Sequence, residues 1–204
     1  MSFELLDNLF QVAALGCSAL VGGGFALRYR SRRCLTLALA YACFSMGTLY
    51  YVLHLAILGA TPRIFYVAEL SWLASYLFCL SFQILRTQGA KFGFQWLPSA
   101  CGLCITAAIL RLRIFGPSYF VSALFALTAG ALTYLSAFRL RAGGKGRGID
   151  ALLLLCLCLQ VALYVVSGFT GSYSRFNPYF AVDILLTLCL MGLLPLCVRE
   201  VRAQ

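Results

Sequence analysis

The sequence is poor in acids, in lysine and above all in histidine. Its 204 residues include six Asp or Glu, two Lys and one His. A single histidine cannot build a multi-histidine metal site. HExxH, GxSxG and glycine-rich phosphate-loop motifs are also absent, which excludes the enzyme classes that depend on them. We therefore expect no enzyme activity, no cofactor and no metal site.

Apolar residues are abundant, at 62% of the chain, with a mean hydropathy of +0.92. This composition predicts an all-α integral membrane protein without a soluble domain. Apolar segments of about 17 to 25 residues are long enough to cross a bilayer as helices. Seven such segments can be recognised, of which the fourth is the shortest. They are Leu9–Leu27, Cys34–Leu58, Ile64–Leu85, Phe94–Leu110, Pro117–Phe138, Ala151–Phe169 and Tyr179–Val198.

The positions of Lys and Arg predict the orientation. Twelve of the sixteen follow helices 1, 3, 5 and 7, and the other four, Arg63, Arg111, Arg113 and Arg175, follow helices 2, 4 and 6. Because short cytoplasmic loops retain basic residues, the N-terminus is expected outside and the C-terminus inside. The net charge of +10 then indicates contact with anionic lipid headgroups rather than with nucleic acid. The acidic N-terminal segment argues against a cleavable signal peptide.

The ten cysteines all fall inside predicted spans or at their cytoplasmic ends, so most are interpreted as small packing residues. Cys101 and Cys104 form a Cys-x-x-Cys pair, the form used in thiol exchange. No cysteine faces the oxidising side to support such chemistry, and packing is the favoured interpretation. There is no Asn-x-Ser/Thr sequon, which favours a bacterial inner membrane.

An internal repeat is suggested by a shift of 114 residues, which places Glu69 on Asp183 and LYYV at 49–52 on LYVV at 163–166. If genuine, the repeat divides the single membrane domain 1–204 into a first triplet at 1–85, a linker helix at 94–110 and a second triplet at 117–204. The single linker helix makes the triplets parallel in the membrane.

This plan of three helices, a linker and three helices resembles, in topology, the SWEET and PQ-loop carriers and the microbial opsins. The sequence has no Pro-Gln pair of the PQ-loop kind. Thr187 occupies the position of the retinal-binding lysine of opsins, and the chain's lysines, Lys91 and Lys145, lie in loops. A retinal protein is thereby excluded, and no family motif is matched.

Three ionisable residues, His54, Glu69 and Asp183, lie well inside the predicted spans. At about 1.5 Å per residue they share one depth, roughly 6–8 Å below the outer boundary. Two acids and an imidazole in one layer can share protons or hold a cation. The alternative is that both acids are shallow enough to reach water or the outer arginines.

Polar and aromatic residues recur on the same helices and predict a polar path through the bundle, although such residues also serve simply to join helices. With the three ionisable residues they form the predicted ligand or proton site. They are Tyr50, Trp72, Tyr76, Gln160 and Tyr164.

Three functions remain open. The first is a carrier of a small solute, possibly proton-coupled, with its site in the outer half of the bundle. The second is a ligand-sensing membrane module that signals through a cytoplasmic partner, and a homo-oligomer is also compatible with the sequence. The third is an intramembrane thiol oxidoreductase that uses Cys101 and Cys104.

Overall fold

The computed structural model describes residues 3–59, 66–89, 95–112, 119–143 and 146–203, and these ranges contain helices and short connections but no strand. The predicted all-α fold with seven helices is therefore confirmed. The helices are α1 Phe3–Tyr29, α2 Arg32–Leu58, α3 Tyr66–Thr87, α4 Trp96–Leu112, α5 Tyr119–Ala142, α6 Arg147–Ser167 and α7 Pro178–Arg202. Arg63, Lys91, Arg113 and Lys145, which contributed to the predicted orientation, lie outside the described residues.

Helices α1 and α6 begin well before their predicted spans, and each gains an acid by doing so. Helix α1 begins at Phe3 rather than at Leu9, and α6 begins at Arg147 rather than at Ala151. Glu4 and Asp150 then lie in first turns, where a negative charge interacts favourably with the free N–H groups of the helix N-terminus. Hydropathy marks only the apolar part of a helix, which is why these polar turns were missed.

The helices present an apolar outer surface. Leu20, Leu27 and Phe120 are 79%, 83% and 77% exposed, a pattern that suits contact with lipid rather than with water. Six helices are long and apolar enough to cross a membrane, whereas α4 is apolar but has only 17 residues. Composition and structure together describe an integral membrane protein.

Six helices form a ring in the order α1, α2, α3, α5, α6 and α7, with α7 returning to α1. Helix α4 lies outside this ring against α5 and α6. Glycine permits the closest approaches: a Cβ on Gly47 of α2 would come within 3.0 Å of atoms of α3, and one on Gly130 of α5 would overlap the Thr106 hydroxyl of α4.

The ring has two ends, which are named here after the chain termini. At the N-terminal end α1 begins, and the Phe3 amide donates to the Ser174 carbonyl in the α6–α7 connection at 3.2 Å. At the C-terminal end α7 finishes beside the α1–α2 turn, and Arg202 Nε donates to the Tyr29 hydroxyl at 2.9 Å. Buried polar side chains concentrate towards these two ends.

Candidate functional site

A buried polar group, here called the carboxyl cluster, lies inside the ring towards its N-terminal end. It combines residues from α1, α2 and α7, none of them more than 7% exposed. Its members are Asp7, Gln11, Thr48, Asp183 and Thr187. Asp7 and Gln11 are four residues apart and therefore lie on one face of α1, as Asp183 and Thr187 do on α7.

Gln11 holds the carboxyl cluster together. Its side-chain amide nitrogen donates to Asp183 Oδ1 and to Thr187 Oγ1, each at 3.1 Å. Its amide oxygen accepts from Thr48 Oγ1 at 2.7 Å. Thr48 in turn accepts from Trp72 Nε1 at 3.3 Å. A chain of hydrogen bonds thus runs from α3 through α2 and α1 to the acid of α7.

Asp7 and Asp183 are neighbouring carboxyl groups, because Asp7 lies one turn from Gln11 on α1 and Gln11 donates to Asp183. Two negative charges this close in a buried site repel each other, which favours a proton on one of the two. Neither has a basic partner among the described residues, and Asp7 Oδ2 is buried there without any hydrogen-bond partner. The pair can therefore hold a proton, or a cation in place of one.

Aromatic residues cover the carboxyl cluster at the N-terminal end. This aromatic cap consists of Phe3, Tyr173, Phe176, Tyr179 and Phe180. The Phe3 ring lies 5.3 Å from Phe176 and 4.7 Å from Phe180, and Tyr173 packs edge-on against Tyr179 at 5.2 Å. Burial, followed by the nearby Glu4 carboxylate, raises the pKa of Tyr173, so its hydroxyl stays neutral. The cap packs α1 against the α6–α7 connection and the start of α7 at this end.

Of the three predicted ionisable residues, Asp183 joins the carboxyl cluster. Glu69 is 5% exposed, and its Oε2 has no hydrogen-bond partner among the described residues. His54 is half-buried, with its ring 6.3 Å from that of Tyr50 on the same helix. The cluster also contains Asp7, an acid outside the predicted site.

The other predicted site residues join helices across the ring. Tyr76 donates its hydroxyl to Gln160 Oε1 at 2.8 Å, although α3 and α6 are not neighbours in the ring, so this bond crosses the interior. Trp72 reaches the carboxyl cluster through Thr48. Tyr164 lies close enough to Glu69 to be influenced by its charge. These contacts follow the predicted polar path, whose role in binding stays a prediction.

A second buried polar group, here called the arginine network, lies at the C-terminal end. It combines residues of α2, α3, α5, α6 and α7, and its members are Arg33, Gln83, Arg86, Arg139, Asp150 and Glu200. The side chain of Arg86 is 0% exposed and that of Asp150 is 1% exposed, which is rare for charged groups unless they are paired.

Arg86 is the centre of the arginine network. Its guanidinium contacts Asp150 at 2.6 Å and Glu200 at 2.9 Å, and it also donates to Gln83 Oε1 at 2.6 Å. Arg33 lies 3.3 Å from Glu200, and Arg139 lies 3.4 Å from Asp150. Charges of both signs therefore meet in one largely buried cluster that joins five helices at this end of the ring.

Sequence reasoning missed Asp7 because it precedes the predicted first span, and Gln11 because it lies at the edge of that span. It assigned Arg86 to a loop because Arg86 follows the predicted third span. A signal was available for both groups. Gln11 follows Asp7 by four residues, and Arg86 follows the polar Gln83 by three, so each pair shares one helix face.

All ten cysteines are free. Cys34 of α2 and Cys197 of α7 are buried with their sulfur atoms 3.9 Å apart. Cys104 is exposed and Cys101 is half-buried, while Gly102 between them packs against the Gly130 carbonyl of α5. Within the described ranges, no group of three or more His, Cys, Asp or Glu residues is arranged to hold a metal ion.

Comparison of the chain with protein-family models, with curated proteins and with solved structures finds no match. Any functional conclusion therefore depends on the geometry of the polar groups themselves.

Proposed function

We propose that the chain is a small membrane carrier that couples movement of a small solute to proton binding at the carboxyl cluster. The observation that carries this proposal is the proximity of Asp7 and Asp183, two buried carboxyl groups of one cluster without a basic partner among the described residues. Ionisable residues at membrane depth are costly, and in membrane proteins they commonly mark ion or proton pathways.

The hydrogen bonds around Asp183 support a change of protonation rather than a fixed state. The Gln11 amide donates to Asp183 Oδ1, a bond that an ionised carboxylate accepts well, while a second buried carboxyl group nearby opposes two negative charges in one site. Opposing influences of this kind allow a group to gain and release a proton. The unpartnered oxygen of Glu69, also buried, offers a further polar contact for a solute.

Side-chain contacts at both ends of the ring support a carrier rather than an open pore. The aromatic cap packs at the N-terminal end, and the arginine network joins helices at the C-terminal end. In alternating access, each end must open while the other stays closed. Contacts between aromatic side chains and ion pairs between charged side chains suit such exchange, because each can be broken and reformed as a unit.

The order of helices in the ring supports the parallel repeat that is part of this proposal. Contacts α1–α2 and α2–α3 in the first triplet correspond to α5–α6 and α6–α7 in the second, and α3–α5 corresponds to α7–α1. Two related triplets around a central site are common in transporters.

The proposed orientation places the N-terminal end outside and the C-terminal end in the cytoplasm, with the bacterial inner membrane as the location. Support comes from exposed arginines at the C-terminal end, namely Arg28, Arg30, Arg32 and Arg199. Such residues are retained on the cytoplasmic side of membrane proteins.

The proposal can be tested in proteoliposomes that contain a pH-sensitive dye. Amino acids, sugars and small organic cations are added outside in turn, and the internal pH is followed. We expect one solute class to produce a solute-dependent pH change that Asp183→Asn and Asp7→Asn reduce by at least tenfold. Glu4→Gln is the matched control, because Glu4 is an acid of the same end that contacts Tyr51 instead of the cluster.

Infrared spectroscopy of the same samples tests proton binding without a known solute. A carbonyl band of a protonated carboxyl group should be present in the unmodified protein and lost in Asp183→Asn. If both Asn variants retain every flux and every infrared band, the proposal is wrong. Solute binding without flux, accompanied by recruitment of a cytoplasmic protein, would overturn the carrier in favour of the sensing module.

A further inference from the structure

An open groove runs between α1 and α7 on the outside of the ring, at its C-terminal end. Its volume is about 560 Å³, within the range of about 300–1,000 Å³ that is usual for small-molecule sites. The walls are apolar and come from Val21 and Phe25 of α1 and from Leu194, Pro195 and Val198 of α7. Because α1 and α7 are both long and apolar enough to span a membrane, these walls face the region of lipid chains.

Two arginines form the rim of this groove. The guanidinium of Arg202 lies over the rings of Phe25 and Tyr29, at 6.0 Å and 5.6 Å from their centroids. Its Nε donates to the Tyr29 hydroxyl at 2.9 Å. Stacking and this hydrogen bond hold the flat guanidinium in place while its other N–H groups have no partner among the described residues. Arg202 is therefore a positioned cation with spare donors.

Arg199, one turn before Arg202 in α7, is exposed and has neither an acid partner nor a hydrogen bond among the described residues. The arginines of the network at the same end behave differently, since Arg33, Arg86 and Arg139 all contact Asp150 or Glu200. Asp150 and Glu200 thus pair with arginines of the network, and the arginines at the rim of the groove keep their positive charge.

We propose that this groove binds one molecule of an anionic phospholipid. An acyl chain lies between Val21, Phe25 and Leu194, and the phosphate accepts hydrogen bonds from Arg199 and Arg202. The apolar length of the groove selects a lipid over a free anion. The two guanidinium groups, which have no acid partner among the described residues, select an anionic headgroup over a zwitterionic one. This inference rests on membrane insertion of α1 and α7 and is independent of the proposed transport.

Native mass spectrometry of the full chain in detergent tests the lipid site, with phosphatidylglycerol and phosphatidylcholine titrated separately. We expect phosphatidylglycerol to bind more tightly. Arg199→Gln and Arg202→Gln should each weaken its binding about fivefold, because one basic residue beside an anionic lipid contributes about 1 kcal/mol. Arg32→Gln, which removes an exposed arginine of the same end outside the groove, should change binding less than twofold.

A second pair of variants tests the apolar walls. Val21→Trp fills the groove and should weaken both lipids at least tenfold, whereas Leu20→Trp adds the same bulk to a 79% exposed position outside the groove and should not. If Arg32→Gln and Arg202→Gln weakened phosphatidylglycerol binding equally, the proposal would be overturned, because the lipid would then be attracted by the overall positive charge of this end and not by the groove. Competition by glycerol phosphate as effective as that by the intact lipid would also overturn it, because the groove would then contribute nothing.

Discussion

The two ends of the helix ring bury polar groups in contrasting ways. At the C-terminal end, Asp150 and Glu200 are each in contact with arginine, and the closest of these ion pairs measures 2.6 Å. At the N-terminal end, Asp7 and Asp183 are buried neighbours in the carboxyl cluster and have no basic partner among the described residues. The acids at the C-terminal end are balanced by fixed arginines. The acids at the N-terminal end need a bound proton or cation to balance their charge.

This difference separates a structural role from a functional one. A buried carboxylate that is paired with arginine keeps its charge, since loss of either partner leaves an uncompensated charge in a dry interior. A carboxyl pair without a cation has to take up a proton or a bound cation, and it can exchange them. The contrast predicts that equivalent substitutions at the two ends will differ in their effect on stability and on function.

The largest effect is expected from Arg86→Met. This substitution leaves Asp150 and Glu200 without their central cation and should lower the free energy of unfolding by about 3–5 kcal/mol. The measurement is reversible unfolding in mixed micelles, followed by circular dichroism. The control is Arg28→Met, an exposed arginine at the same end, for which we expect a change below about 0.5 kcal/mol.

The double variant Arg86→Met with Asp150→Leu sharpens the same comparison. Removal of both charges should recover part of the lost stability, because apolar replacements of a buried ion pair are often tolerated. If the added Asp150→Leu lowered the stability of the Arg86→Met protein further, as an unrelated damaging substitution would, the two residues would not act as a pair.

A smaller loss is expected from Gln11→Leu in the carboxyl cluster. Leucine strands the buried Thr187 hydroxyl and one oxygen of Asp183, and an unsatisfied buried polar group costs about 1–3 kcal/mol. Thermal unfolding of the purified protein measures this loss. The same substitution at the exposed Gln88 provides the control, and equal effects at both positions would contradict the importance of the hydrogen-bond chain.

Tyr76→Phe tests the contact across the middle of the ring. Loss of the hydrogen bond to Gln160 should reduce stability by about 1 kcal/mol, the usual net value for one such bond. Tyr134→Phe, on α5, is the control, because the Tyr134 hydroxyl makes no hydrogen bond among the described residues. If the two variants unfold at the same midpoint, the Tyr76 hydrogen bond contributes nothing to stability.

The smallest effect is expected from Asp183→Asn, with a change in unfolding free energy within about 1 kcal/mol. An asparagine oxygen still accepts from Gln11, its NH₂ group can donate to Asp7, and no cation is left unpaired. Asp150→Asn should instead cost about 2 kcal/mol, because hydrogen bonds to charged groups contribute about 1.5–3 kcal/mol. Equal costs, measured in one unfolding series, would remove the distinction between the two ends.

The sequence was sufficient to predict the helical class and the number of helices, because apolar runs of membrane length are an explicit signal. It was less informative about where helices begin. Asp7, in α1, and Asp150, in the first turn of α6, precede the apolar spans that hydropathy marks, and both belong to buried groups. Boundaries set by caps and by tertiary contacts, rather than by apolarity, were therefore misplaced.

The partners of each polar residue could not be predicted from the sequence. Asp183 was correctly recognised as an acid inside a helix, but its contacts with Asp7 and Gln11 depend on the packing of α7 against α1, across more than 170 residues of chain. Periodicity identifies the face of one helix, whereas the choice of neighbour depends on the order of helices in the ring. The transport role of the site stays a prediction.

The side chain of Gln11 offers a way to observe this site without altering it. Its two amide hydrogens and its oxygen are all engaged, with Asp183, Thr187 and Thr48, so the amide has a single orientation. A chain with isotopically labelled glutamine would give a side-chain NMR signal whose frequency changes when the neighbouring acid gains or loses its proton. The same residue that joins three helices can thus serve as a built-in spectroscopic reporter of proton occupancy.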